Sequence, residues 1–112
     1  MVPAIQNIKI MRGDTEIFVI TLTNPDSTPI NLTGSVFASQ IRYEYDSTTV
    51  AASFNCVITD AVNGVVTLTL PAASSVALNS GAAYWDLQRN ESGVINTILS
   101  GKCTILADVT RL

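Results

Sequence analysis

With 112 residues, the chain is sized for one domain, long enough to bury about 65% of the surface its unfolded form exposes and so to hold a core without metal or disulfide staples. Its net charge of −3, with Lys9, Arg12, Arg42, Arg89, Lys102 and Arg111 scattered along it, leaves no basic stripe for a phosphate backbone and argues against nucleic-acid binding. Histidine is absent, which removes the serine and cysteine nucleophile pairs that depend on it and all imidazole metal sites.

Apolar residues, Val prominent among them, make up 47% of the chain and charged ones 13%, with Thr, Ser and Asn filling much of the remainder, a composition suited to pleated, half-buried strands. So few charges also leave room for sheet edges or patches that other subunits cover. In chain order, Ala4 to Met11 alternates as a first strand and breaks at Arg12-Gly13-Asp14. Thr15 to Thr23 is a second, with Phe18, Ile20 and Leu22 as its core face. Asn24-Pro25-Asp26-Ser27-Thr28-Pro29 is a dense turn, because proline fixes φ while Asn, Asp and Ser bond their own backbone. Ile30 and Leu32 re-enter the core before the longest strand candidate, within Asn31 to Tyr45, which sets Phe37, Ile41 and Tyr43 against Gln40, Arg42 and Glu44.

After a turn at Asp46 to Thr49, Val50 to Thr59 keeps a period of two through Ala52, Phe54, Cys56 and Ile58. The loop Asp60 to Gly64 ends in Asn-Gly, which supplies positive φ, and Val65 to Leu70 returns with Val66, Leu68 and Leu70 inward. Pro71 to Ser80 predicts one helical or 3₁₀ turn, near 72–79, crossing between sheets. Ala83, Trp85 and Leu87 alternate next, with Trp85 as the natural core plug, and Asn90-Glu91-Ser92-Gly93 turns the chain. Val94 to Leu99 and Lys102 to Val109 are read as strands joined by a bend or bulge at Ser100-Gly101, and Thr110 to Leu112 as a tail. Seven to eight short strands at this spacing predict a two-sheet antiparallel β-sandwich, with a closed barrel as the runner-up.

Motifs that could carry chemistry have plainer readings. The carboxylates, Asp14, Glu16, Glu44, Asp46, Asp60, Asp86, Glu91 and Asp108 among them, fall in turns or on polar strand faces and form no acid/base pair, and DxDxDG calcium spacing is missing. No catalytic residue, metal site or cofactor is therefore expected. Arg12-Gly13-Asp14 spells an integrin tripeptide, yet Gly and Asp at a strand break are what a tight turn needs. Asn31-Leu32-Thr33 and Asn90-Glu91-Ser92 match the glycosylation pattern, but MVPAIQNIKIMRGD has no secretory leader, and no apolar run approaches the ~20 residues of a membrane span. The chain is thus expected to be soluble and made in the cytoplasm. Cys56 and Cys103 share no CxxC spacing and read as small buried hydrophobes, with a disulfide between neighbouring strands as the lesser alternative. Tyr43, Tyr45 and Tyr84 could offer stacking faces to a sugar; packing at the sandwich rim is the favoured reading.

The order of RGDTEIFVITLTN, PINLTG, ITDAVNGVVTLTLP, an alanine-rich turn and YWDLQRNESGVINTILSGKCTI resembles small phage virion modules. It is most similar to the immunoglobulin-like amino-terminal domain of siphophage baseplate upper proteins, over about Ile8 to Thr110. The resemblance implies an immunoglobulin-like sandwich and a non-enzymatic structural protein of a bacteriophage virion. Its place would be the tail, baseplate or fibre attachment region; a capsid decoration protein and, less favoured, a carbohydrate-binding module of a host-recognition device are the alternatives. Partners would be other virion proteins and further copies of itself, with no nucleic acid and no membrane. The candidate contact residues are Ile5, Ile8 and Ile10 on the first strand, Pro25 and Asp26 in the long loop, Gln40, Arg42 and Glu44 on the polar strand face, and Arg111 in the tail, since chain ends and loops border sheet edges.

Overall fold

The structure is a computed structural model and describes residues 3–110. Its strands are β1 (Ala4–Ile5), β2 (Ile8–Met11), β3 (Glu16–Thr21), β4 (Ser35–Arg42), β5 (Ala52–Asp60), β6 (Val65–Leu70), β7 (Gly81–Glu91) and β8 (Val94–Leu106), with one short helix, α1 (Ala72–Ser75), between β6 and β7. They follow the order β1-β8-β7-β4-β5-β6-β3, with β2 also on β8. The path folds over at β5, whose first residues pair with β4 (Ile41 opposite Ala52, Ser39 opposite Phe54) and whose remainder pairs with β6 (Asn55 opposite Thr69). One sheet is therefore β1/β2-β8-β7-β4 and the other β5-β6-β3. Among the described residues β3 does not pair with β1 or β2, so the architecture is an open immunoglobulin-like sandwich and not a closed barrel.

Period-two alternation places the core. Every second residue of β4 and β6, and Ala83, Trp85 and Leu87 of β7, turns inward, and Leu32, Phe37, Ile41, Phe54, Val66, Leu68, Leu70, Trp85 and Leu87 form one buried cluster with Leu78, Cys103 and Ile105. Each large side chain in it contributes about 1.5–3 kcal/mol of apolar burial. Trp85 is central: its ring meets Phe54 edge-on at 6.3 Å, and Phe54 meets Phe18 at 5.9 Å.

The structure departs from the sequence reading at both ends of the chain. The first strand is two short pieces, and both run parallel to β8, with Ile5 opposite Ser100 and Ile8 opposite Cys103. Between them the Gln6 carbonyl accepts the indole N–H of Trp85 at 2.7 Å, while the Asn7 side chain accepts the Lys102 N–H at 3.0 Å. β8 passes unbroken through Ser100-Gly101; its bulge lies earlier, at Ile98, the extra residue of β8 opposite Leu87/Gln88 of β7. Glycine at 101 answers a different need, since a Cβ there would stand 2.2 Å from the Gln6 oxygen.

The Arg12-Gly13-Asp14 turn is pinned from three directions. Arg12 Nε bonds Asp108 Oδ1 at 2.8 Å, the Gly13 N–H donates to Ser75 Oγ, and that buried hydroxyl donates to the Asp14 carbonyl at 2.7 Å. It is a structural corner joining the first strands to α1 and the carboxyl-terminal segment.

Cys56 is half-buried and Cys103 fully buried, and both are free thiols. Burial, with Glu16 nearby adding to it, pushes the Cys103 thiol up to about 11 from an ordinary 9.0. The unfolded thiol ionises first, so the contribution of Cys103 is intact below pH 9 and declines as pH rises toward 11, by up to about 1.4 kcal/mol per unit. Urea unfolding at pH 8 and at about pH 10.5 should show wild type losing more stability across this window than Cys103→Ala.

Candidate interaction surfaces

Two outward faces carry what function this sandwich can offer. On the first sheet, Gln40 lies opposite Asp86 and Arg42 opposite Tyr84, while Ser100 of β8 flanks Asp86 from the other side. With Gln88, Ala38 and Tyr45 these line a polar groove of about 230 Å³. The Arg42 guanidinium is held in place by the Ser47 carbonyl at 2.6 Å and Gln40 Oε1 at 2.9 Å. Burial pushes the Asp86 carboxyl upward, partly offset by the Arg42 charge. Tyr45, 69% exposed, stacks on Tyr84 at 4.1 Å and closes one end of the groove. Tyr43 is different in kind: it packs against the core and its hydroxyl accepts the Asn79 N–H at 2.8 Å.

On the second sheet, two neighbouring rows of the outer face carry no charge, and Asp60, opposite Val65, lies in the row beyond them. Ile17 of β3, Thr69 of β6 and Asn55 of β5 form one row across the strands, and Val19, Thr67 and Val57 the next. Ile17, Val19 and Val57 are 61%, 67% and 59% exposed. β-branched side chains left in water on a flat sheet are a surface suited to being covered.

The contact candidates of the sequence reading fare unequally. Gln40 and Arg42 both line the polar groove, and Glu44 lies exposed just beyond it. Ile5 is exposed at the sheet edge, and Pro25 and Asp26 are exposed at the tip of a loop far along the chain from the others. That loop is ordered by its own bonds: Asp26 accepts from the Thr28 hydroxyl and N–H, which holds its carboxyl below the ordinary range. Ile8 and Ile10 are corrections. They turn inward and are buried in the core, because pairing with β8 aims the even positions of β2 at the opposite sheet. Arg111 lies outside the described residues.

Two groups of residues escaped the sequence reading. Asp86, Gln88 and Ser100 join the groove only through pairing of β7 with β4 and β8. The face of Ile17, Val19 and Val57 did leave a signal: EIFVIT is apolar on both sides of the strand, a pattern associated with strands covered on both faces. Among the described residues no three His, Cys, Asp or Glu side chains stand close enough together to hold a metal ion.

The sequence matches no family model and no curated protein. In fold, the chain is similar to the N-terminal domain of phage TP901-1 ORF48, with 16% identity over 93% of this chain and 86% of that one, at a TM-score of 0.50. At lower TM-scores, the filamin domain of Lin-41 matches at 0.40 (16% identity, 87% and 81% covered) and an extracellular fragment of novel immune-type receptor 11 from Ictalurus punctatus at 0.35 (11% identity, 100% and 90% covered).

Proposed function

We propose that this chain is a non-enzymatic structural component of a bacteriophage virion, working through protein–protein contacts in the tail, baseplate or fibre attachment region. The observation that carries this reading is the second-sheet face with Ile17, Val19 and Val57 in water and no charge in the two rows they occupy, a surface for assembly and not for chemistry. The fold it shares with a phage protein's amino-terminal domain supports the same reading. The 112 residues act as one domain that other virion proteins, and neighbouring copies, cover on assembly.

Mass spectrometry of purified particles, with gold labelling of an epitope-tagged copy, tests the role. The expected result is a stoichiometric component labelled at the tail. Label on the capsid would instead make the chain a decoration protein, and absence from purified particles would overturn the proposal.

One observation favours a second reading, a sugar-binding module: the exposed Tyr45 ring beside Gln40, Asp86 and Gln88 combines a stacking face with planar hydrogen-bonding groups. A glycan array without a single saturable hit disposes of it.

A further inference from the structure

The second sheet ends in an edge that none of the described residues covers. β3 pairs with β6 alone. In that register the Leu22 N–H bonds the Gly64 carbonyl directly opposite, so antiparallel alternation commits Phe18 and Ile20 to β6 and turns the N–H and C=O groups of Ile17, Val19 and Thr21 outward. Sheet edges are usually blunted by a charge, a proline or a bulge. From Ile17 to Thr21 this one has none of the three. In the usual immunoglobulin order the first strand lies beside the second, whereas here β1 and β2 lie beside β8 and leave that place vacant.

A cleft of about 480 Å³ opens along the same edge, between the two sheets. Phe18, Ile20 and Leu22 line one wall and Ile8, Trp85 and Leu99 the other, with Gln6 at its margin and no charged side chain anywhere in the lining.

We propose that β3 is a strand acceptor: an extended, uncharged segment of a partner protein adds to its free edge and sends alternate apolar side chains into the cleft. Size and charge both select this occupant. The cleft is about three times the ~150 Å³ that accommodates a benzene molecule, and a strand matching the six residues of β3 turns about three side chains to one face. An uncharged lining disfavours a charged insert, whose desolvation nothing there offsets. A second folded copy is a poorer fit, because its own Phe18 and Ile20 already pack against its own core and are not free to enter a neighbour's cleft. Main-chain bonds to Ile17, Val19 and Thr21 would supply affinity, and the cleft would select side-chain size.

That the partner is a virion protein rests on the function proposed above; strand acceptance itself is read without any particle, so the two fail separately. The probe is the peptide acetyl-Lys-Thr-Val-Thr-Leu-Thr-Val-Lys-amide, titrated into the labelled chain and followed by amide resonances. Saturable shifts at Ile17, Val19 and Thr21 are expected below about 1 mM, with binding weakened at least about tenfold when aspartate replaces the peptide's leucine. Val19→Pro removes one outward N–H, tolerable on an edge strand, and should weaken binding with the remaining spectrum preserved. Should that variant fail to fold, the aspartate peptide on the wild-type chain decides the matter. No saturable shift at those amides, or equal binding of both peptides, would overturn the proposal. So would light scattering that shows a dimer which dissociates on dilution, excludes the peptide and is abolished by Val19→Pro.

Discussion

Gly64→Ala is expected to lower stability by about 3–5 kcal/mol, read as a shift in the urea midpoint at unchanged slope. Gly64 has a φ of +74°, and a Cβ there would stand 2.4 Å from the Leu22 oxygen and 2.8 Å from the Ile30 oxygen. Both neighbours are backbone, so neither can rotate away. The site is also where the β5–β6 hairpin grips the segment between β3 and β4: Leu22 N–H bonds Gly64 at 2.8 Å, Ile30 N–H bonds Leu22 at 3.1 Å, and Leu32 N–H bonds Ala61 at 2.8 Å. Forcing them apart exposes Leu22 and Leu32, which are buried. Gly93→Ala is the control. Its φ is +89° but nothing stands within 4 Å of the added carbon, so only the conformational cost of about 1–2 kcal/mol remains. Equal losses for the two variants would refute the close-approach account.

Trp85→Ala should cost about 3–5 kcal/mol, the range for emptying a core of an aromatic side chain. Its ring is buried against Phe54, and its N–H is the bond that holds the Gln6 carbonyl between β1 and β2. The loss should therefore have a direction: hydrogen exchange is expected to rise first in β1 and β2, ahead of β5 and β6. Trp85→Phe separates the two contributions. It keeps most of the apolar contact and leaves the Gln6 carbonyl without its donor, for about 1–3 kcal/mol. Uniform acceleration of exchange in the alanine variant would mean that Trp85 supports only the core and not the attachment of the first strand.

How much was legible depended on range. Phe37 and Ile41, Val66 to Leu70, and Ala83 to Leu87 declared their faces by alternation, and the Asn63-Gly64 pair declared its hairpin, because each signal lies within a few residues of chain. Ile8 and Ile10 show the limit. Their alternation was visible, but which face was inward depended on pairing with β8, almost a whole chain length away. Ser100-Gly101 was misread for a related reason: a glycine in a strand marks either a bend or a close approach, and the Gln6 backbone that approaches it belongs to the other end of the chain.

The candidate surfaces divide in the same way. Gln40 and Arg42 stood out as the polar side of one strand, yet the groove they line exists only because β7 and β8 bring Asp86, Gln88 and Ser100 alongside. The free edge of β3 has no local signature at all, since an edge is defined by the strand that is not beside it.

Sequence alone determined most strands, the inward faces of the central ones and the hairpin turns, and hence a β-sandwich poor in catalytic groups, because side-chain periodicity and turn chemistry act over neighbouring residues. Only the tertiary structure decided where the first strand docks, which glycines are indispensable, and which edge and face remain uncovered. Those outcomes depend on contacts between residues as distant in the chain as Gln6 and Gly101, whose pairing no local pattern specifies.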